Sequence, residues 1–134
     1  MIKLSTIEPG MTKILEEEVT EEKTAAALKS GSMRVYATPA MCALMERAAA
    51  ELADENLDTK EFTTVGVKLD IVHVSPSPVG MKIRAEAKVL EIERKRITYA
   101  VKAYDEKGEI GSGVHIRYVV VKKKFEEDTY SKLS

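Results

Sequence analysis

The sequence predicts an α+β fold in which a curved antiparallel sheet of about five strands wraps one long helix. Strong helix formers fill the stretch from Pro39 to Asn56, and four segments of alternating apolar and polar residues follow it. The connections between these segments are short, which favours antiparallel hairpins. A helix that is apolar on almost every side must be covered by other elements, so the sheet is expected to enclose it.

Two elements are predicted before the long helix. Met11 to Val19 is expected to form a strand, and Thr24 to Lys29 a short helix that ends at Gly31. At the long helix, Thr38 is the expected N-cap because its hydroxyl can accept a backbone hydrogen bond. Pro39 then occupies the first helical position, where its missing N–H has no consequence.

The long helix carries one unusual residue, Glu46. Apolar residues at helical spacing form a broad stripe, small residues form a second stripe, and the polar face is narrow. The broad stripe comprises Met41, Leu44, Met45, Ala48 and Leu52, the second stripe Cys42, Ala49 and Ala53, and the polar face Arg47, Glu51 and Asp54. Because Glu46 lies among the small residues, its carboxyl is expected in poorly solvated surroundings.

After the helix, the period of the pattern changes from that of a helix to that of strands, each with one core face. A parity change within Leu90 to Ile92 predicts a β-bulge. His115 and Arg117 have the parity opposite to the expected core face of the last strand. The expected core faces are Val65, Val67, Leu69, Ile71 and His73; Met81, Ile83, Ala85, Ala87 and Val89; Ile97, Tyr99, Val101 and Ala103; and Ile110, Ser112, Val114, Ile116, Tyr118 and Val120.

Composition excludes several classes of protein. The chain has 134 residues, which fits a single domain over 1–134, and 44% of them are hydrophobic, which argues against disorder. Its net charge of −1 gives no support to nucleic-acid binding. No apolar run approaches the ~20 residues of a membrane helix, and Met1 to Gly10 contains no signal-peptide core. One cysteine and two histidines exclude a cysteine-rich zinc site, so we expect a cytoplasmic protein without a metal.

Three polar residues in apolar surroundings are candidates for chemistry. Glu46 is either a general base or nucleophile, or a helix-surface glutamate that lies at the rim of an interface or pairs with a nearby arginine. Thr38 is either an ordinary cap or a hydroxyl beside the positive end of a helix. His73 is either a histidine hydrogen-bonded at the core edge or an acid/base group. Thr38 and Glu46 are separated by about 12 Å along the helix, so a third group or a second subunit must connect them, and His73 is the candidate for that group.

Other residues have both a structural and a functional interpretation. Gly66 and the segment from Gly111 to Gly113 mark either bulges or places where a ligand meets bare backbone. Arg117, with His115, lies either on a solvated face or in contact with an anion. The run from Lys122 to Lys124 is either a solvated tail or a weak phosphate site.

Three segments together resemble the hotdog-fold thioesterases of the fluoroacetyl-CoA thioesterase type. They are VYATPAMCALMERAA, TVGVKLDIVHVSPSPVG and EIGSGVHIRYVV, and the resemblance runs in order from about Thr6 to Phe125. It implies a hotdog homodimer, which could pair into tetramers, that hydrolyses acyl-CoA thioesters with no cofactor other than the coenzyme A of the substrate.

The resemblance also assigns roles to individual residues. It places the catalytic group on Thr38, Glu46 and His73, and substrate contacts on Gly66 and Arg117.

Two departures accompany the resemblance. Pro39 stands where the family has glycine, which removes one N–H donor from the start of the helix. The segment from Lys29 to Arg34 lacks the aromatic residue of the family's lid, so an acyl group other than fluoroacetyl is expected.

Two alternatives to hydrolysis remain open. A hotdog protein that binds acyl-CoA or an acyl carrier without catalysis would suit the altered helix start. A hydratase is a weaker hypothesis, because the chain has no Asp-x4-His pair of the usual kind.

Overall fold

The computed structural model describes residues 5–134. Met1 to Leu4, which begin the segment examined for a signal peptide, lie outside the described residues. Five antiparallel strands form one sheet in the order β1-β3-β4-β5-β2. The strands are β1 (Thr12–Glu18), β2 (Phe62–His73), β3 (Lys82–Glu93), β4 (Arg96–Asp105) and β5 (Gly108–Val121), and the helices are α1 (Ala25–Leu28), α2 (Thr38–Asp54) and α3 (Lys122–Tyr130). This confirms the predicted helix-and-sheet architecture.

Helix α2 packs against β1, β2, β3 and β4, and its apolar stripe fills the core. The start of the helix differs from the prediction in one position. Thr38 is the first helical residue, and Ala37 is the N-cap, without a side-chain cap hydrogen bond. The hydroxyl of Thr38 is therefore not used as a cap, which leaves it available for another partner.

The short helix α1 begins as predicted and ends earlier than predicted. Thr24 caps it, since its hydroxyl accepts a hydrogen bond from the backbone N–H of Ala27 at 3.1 Å. The helix ends at Leu28, and Lys29 is its C-cap in the left-handed conformation with φ 59°. Gly31 is thus not the terminator, because Lys29 has already turned the chain.

Bulges interrupt the predicted alternation in three strands. In β2, Leu69 and Ile71 pack against the core as predicted, and the departure lies before them. The bulge expected near Leu90 is confirmed, since the pairing of β3 with β4 shifts between Val89 and Glu91. A second shift between Gly66 and Lys68 makes Val67 an extra residue, which is 53% exposed. A third shift, in the pairing of β4 with β5, lies at Ile110.

The shift at Ile110 reverses the faces of β5. Val114 and Tyr118, expected in the core, are exposed, whereas His115, Arg117 and Val119 are buried. The strict alternation of β5 is compatible with either face, so only the bulge decides which side chains point inward.

Two glycines of β5 allow close packing against neighbouring elements. A Cβ on Gly113 would lie 2.1 Å from the Asp70 carbonyl oxygen, and one on Gly111 would lie 2.7 Å from the Met41 side chain. Bare backbone of this segment therefore packs closely against β2 and α2, and the bulge in this part of β5 lies at Ile110, directly before Gly111. Lys122 to Lys124, expected as a tail, form the exposed first turn of α3.

Candidate active site

Thr38 and His73 meet at one end of the sheet. The Thr38 Oγ1 atom lies 2.8 Å from Nδ1 of His73. Thr38 is the first residue of α2 and His73 is the last residue of β2, so the two element ends meet here. They border a cleft of about 300 Å³ whose other lining residues are Ala25, Ser30, Val35, Tyr36, Pro39, Val74, Ser75 and Pro76. A hydroxyl in contact with an imidazole at a cleft is an arrangement that can activate a nucleophile.

The imidazole of His73 is held neutral. Burial lowers the pKa of His73, because an apolar environment disfavours the charged ring. Its Nε2 atom is buried and has no hydrogen-bond partner among residues 5–134. In the tautomer protonated at Nε2, Nδ1 accepts the hydroxyl proton of Thr38, as a general base requires.

The N-terminus of α2 adds donors beside this pair. The amides of Thr38 and Ala40 lie in the first turn, where the helix dipole favours negative charge. Pro39 has no N–H, and the N–H of Met41 donates to the carbonyl oxygen of Ala37 at 3.1 Å. The first turn thus offers two backbone N–H groups to an oxyanion, those of Thr38 and Ala40, and would offer a third if Pro39 were another residue.

Glu46 belongs to a second cluster, with Gly66, His115 and Arg117. Its Oε2 atom lies 4.0 Å from Nη1 of Arg117. A Cβ on Gly66 would lie 3.0 Å from Glu46 Oε2 and 3.2 Å from both Arg117 Nη1 and His115 Cε1. Gly66 is therefore the place where three polar side chains converge on bare backbone.

The surroundings of Glu46 differ from the expectation. Its side chain is 44% exposed in the single chain, so the carboxylate is not in a poorly solvated pocket. It also faces Arg117 rather than His73. At 4.0 Å, the Glu46–Arg117 contact is an attraction between charges and too long for a hydrogen bond.

His115 and Arg117 are buried, which corrects the expectation of a solvated face. His115 is 0% exposed and Arg117 is 8% exposed. Arg117 donates from Nε to the Thr64 hydroxyl at 2.8 Å and from Nη2 to the Thr64 carbonyl at 3.0 Å. Burial lowers the pKa of His115, and the neighbouring Arg117 charge acts in the same direction.

Alternation alone did not identify His115 as a site residue. The one available signal was Gly66, which interrupts the strand that pairs with β5 and faces Arg117 in the sheet. A glycine opposite a long cation indicates that the cation needs the space a side chain would fill.

The two clusters are far apart within one chain. His73 pairs with Gly111 of β5, whereas Gly66 pairs with Arg117 of the same strand. Arg117 lies six positions after Gly111 on β5, which corresponds to about 20 Å of strand. One small substrate carbonyl therefore cannot touch both clusters of a single chain.

Residues 5–134 contain neither a metal-binding cluster nor a helix that could span a membrane. No group of three or more His, Cys, Asp or Glu side chains in this part of the chain is arranged to hold a metal ion. Within the same residues, no helix combines the length and apolar character needed to cross a membrane.

Comparison with known proteins gives consistent matches. The sequence model of a family described as fluoroacetyl-CoA-specific thioesterase matches residues 19–123. A fluoroacetyl-CoA thioesterase of Streptantibioticus cattleyicolor is 33% identical over 91 residues, which cover 68% of this chain and 65% of that protein. The matched segment thus spans just under two thirds of this curated relative.

Solved structures match over almost the whole chain. A mutant of the fluoroacetyl-CoA thioesterase FlK in complex with acetyl-CoA has a TM-score of 0.89 and 26% identity, covering 96% of this chain and 100% of that one. A hot-dog-like protein from Thermanaerovibrio acidaminovorans has a TM-score of 0.85 and 22% identity, covering 94% of this chain and 93% of that one. These matches confirm the predicted hotdog fold.

Proposed function

The chain belongs to the family of fluoroacetyl-CoA-specific thioesterases, and from this premise we propose that it hydrolyses an acyl-CoA thioester to a free acid and CoA. The observation that carries the proposal is the contact between Thr38 and His73 at the N-terminus of α2, beside an open cleft. A thioester carbonyl in that cleft would lie near a nucleophile, a base and helix amides.

The chemistry requires one water molecule per turnover. In the proposed reaction, His73 takes the proton from the attacking oxygen, either the Thr38 hydroxyl or a water molecule. The amides of Thr38 and Ala40 stabilise the oxyanion, and the C–S bond then breaks. The protonated His73 gives its proton to the departing CoA thiolate. Glu46 acts as the second base or as a nucleophile. Acyl-threonine, acyl-glutamyl anhydride and direct water attack remain three routes. In the first two, the water molecule then hydrolyses the covalent intermediate and restores the free side chain, so all three give the same acid and CoA.

We further propose a homodimer in which each active site combines the Thr38–His73 pair of one chain with the Glu46 cluster of the other chain. β2 is an edge strand, and its exposed apolar residues Val67 and Val72 are unusual for a free edge. His73 and Gly66 are equally far along β2 from the point between Leu69 and Asp70. Antiparallel pairing of two β2 edges about that point would place His73 opposite Gly66 of the partner subunit, and so near Glu46 of the partner subunit.

The cleft supports a short, uncharged acyl group as substrate. Apolar side chains and two serines line it together with Thr38 and His73, and no charged side chain does. Residues 29–34, beside the cleft, contain no aromatic side chain. We therefore propose that the enzyme is not selective for fluoroacetyl and uses no cofactor beyond the CoA of its substrate. A cytoplasmic location suits its one free thiol, Cys42.

The experiment is a free-thiol assay across a panel of acyl-CoA esters from acetyl and fluoroacetyl to butyryl and malonyl. We expect release of CoA from short uncharged esters. Glu46→Gln and His73→Ala should each lower kcat by about 100-fold or more, the usual range for an acid/base group.

Glu51→Gln is the matched control, because Glu51 lies on the same helix and its side chain is 42% exposed. Normal turnover by both Glu46→Gln and His73→Ala would remove these residues from the mechanism. No turnover with any ester would contradict the proposed function.

Binding without catalysis is the second candidate, and Pro39 is the observation that favours it. Because Pro39 removes one amide from the helix start, the oxyanion loses a donor that is worth about 3 kcal/mol in other acyl-transfer enzymes. Calorimetry with the same esters separates the two functions. Tight binding of an ester without CoA release would favour the binding protein.

A further inference from the structure

We propose that His115 is a positioning residue for the reaction. As a neutral imidazole, it holds the Arg117 guanidinium against Glu46 and thereby sets the charge around the Glu46 carboxylate. This inference rests on the proposed thioesterase function and assigns a role to a residue that the reaction described above does not use.

The hydrogen bonds of His115 determine its tautomer. Nε2 lies 3.2 Å from Nη1 of Arg117, and a guanidinium can only donate, so Nε2 must accept. Nδ1 lies 2.7 Å from the carbonyl oxygen of Lys68, which can only accept, so Nδ1 must donate. The ring therefore carries one proton, on Nδ1, and is neutral.

The same ring stabilises the bulge that forms the site. Val67 is the extra residue of β2, and the carbonyl of Lys68 follows directly after it. Nδ1 of His115 donates a hydrogen bond to that carbonyl and so holds the backbone two residues after Gly66. The Tyr99 ring stacks on the His115 ring, with centroids 6.0 Å apart.

Arg117 is left with a defined orientation. Two of its donors bind Thr64, and one Nη1 proton binds His115. Nη1 also faces Glu46 Oε2 at 4.0 Å. A guanidinium held by three hydrogen bonds places its charge at one point, which a flexible cation would not do.

Protonation of His115 would break this arrangement. Both ring nitrogens would then donate, so Nε2–H would face an N–H of Arg117, with two positive charges about 3 Å apart. The charged groups that act on the ring are Arg117 and the opposing Glu46, and the Tyr99 ring stacks on it. Arg117 would have to turn away, and Glu46 would lose its partner.

A double-mutant cycle tests the role of His115 through Arg117. His115→Phe keeps a ring of similar size but removes both hydrogen bonds, and His115→Gln keeps an acceptor. We expect His115→Phe to lower kcat by about tenfold with less than about twofold change in KM, and His115→Gln to recover part of it. In an Arg117→Met background, His115→Phe should have no further effect on kcat.

Ile83→Val on β3 is the control for a general loss of core packing and should keep the kcat of the parent. Equal losses of kcat for His115→Phe in both backgrounds would overturn the proposal. So would unchanged kcat in folded His115→Gln and His115→Phe. If His115→Phe does not fold, His115→Leu, which also removes both hydrogen bonds, provides the same comparison in the two backgrounds.

Nitrogen NMR of the wild-type histidine rings tests the tautomer without any substrate. The resonances of His115 should show a proton on Nδ1 and none on Nε2 at neutral pH. A doubly protonated ring, or the Nε2–H tautomer, would overturn the proposal even in an active enzyme. If the tautomer is as expected but no ester is hydrolysed, the proposed function is wrong, and the role of His115 in it falls too.

Discussion

Gly66 illustrates, at the scale of one residue, how the site depends on the absence of a side chain. The space that a Cβ would fill is bordered by Glu46, His115 and Arg117, all within 3.2 Å of it. The two basic groups are buried and hydrogen-bonded, so they cannot move aside without losing partners.

Gly66→Ala should therefore lower activity more than stability. The added methyl group would displace the Glu46 carboxylate, which is the most exposed of the three side chains, and we expect a fall in kcat of about tenfold or more. Gly31→Ala is the matched control, because its Cβ would make an ordinary 3.4 Å contact with Ala25. Steady-state kinetics and thermal melts of both variants provide the measurement. Equal activity of the two variants would contradict a role for the space at Gly66.

Also at the residue scale, the two histidines link stability to pH. Burial lowers the pKa of both His73 and His115 in the folded protein below the ordinary value of 6.5. As the pH falls below 6.5, the unfolded chain takes up protons that the folded chain does not, so the free energy of unfolding decreases.

The expected result is a lower urea midpoint at pH 5.5 than at pH 7.5. The difference should be smaller in His115→Gln, which has one histidine fewer to titrate. A midpoint that rises as the pH falls over this range would show that the folded histidines bind protons more readily than the unfolded ones.

At the scale of elements, the pairing of β2 with β5 holds both clusters. His73 is at one end of this pair of strands, and the Gly66–Arg117 pair is towards the other. The glycines of β5 allow the strands to approach, since Gly113 faces the backbone of Asp70 and Ile71.

Gly113→Ala should destabilise the protein strongly. Its Cβ would lie 2.1 Å from the Asp70 carbonyl oxygen, and backbone cannot yield as a flexible side chain can. We expect a loss of at least about 1–3 kcal/mol in the free energy of unfolding, the usual range for overpacking. Urea denaturation measures it, with Gly31→Ala again as the control. A loss within about 0.5 kcal/mol, as for an ordinary surface change, would mean that the strands can separate locally.

At the scale of the whole molecule, the separation of the two clusters makes a second chain necessary for the proposed mechanism. Mixing two inactive variants, Thr38→Ala and Glu46→Gln, distinguishes sites shared between chains from sites within one chain. In a mixed dimer with shared sites, one site combines the intact Thr38 of one chain with the intact Glu46 of the other. Random mixing should then restore about a quarter of the wild-type activity.

The two variants are coexpressed, and the free-thiol assay reports the activity of the mixture. Sites confined to one chain would give no restoration, because every site would carry one defect. The oligomeric state is checked by light scattering against the chain mass of 14.9 kDa.

Local sequence was enough to predict helices α1 and α2, the five strands and their order, but not helix α3. The long helix, the strands and the bulge near Leu90 all follow from propensities and periodicities of neighbouring residues, whereas the cap at Thr24 was not predicted. It also identified Thr38, Glu46, His73, Gly66 and Arg117 as candidates, partly from unusual positions and partly from family resemblance. The structure brings Thr38 and His73 into contact, while the catalytic roles of all five residues stay predictions.

Tertiary pairing was needed to show that Val67 is exposed and that β5 changes its buried face after Ile110, whereas Leu69 and Ile71 face the core as the alternation predicts. The extra residues Val67 and Ile110 each shift the alternation by one position, and such a shift depends on the partner strand rather than on neighbouring residues. The local sequence did not predict the burial of His115 and Arg117 either, because polar and charged side chains are buried only where other residues provide hydrogen bonds to them. Here those residues are Thr64 and Lys68, on a strand that local sequence cannot pair with β5.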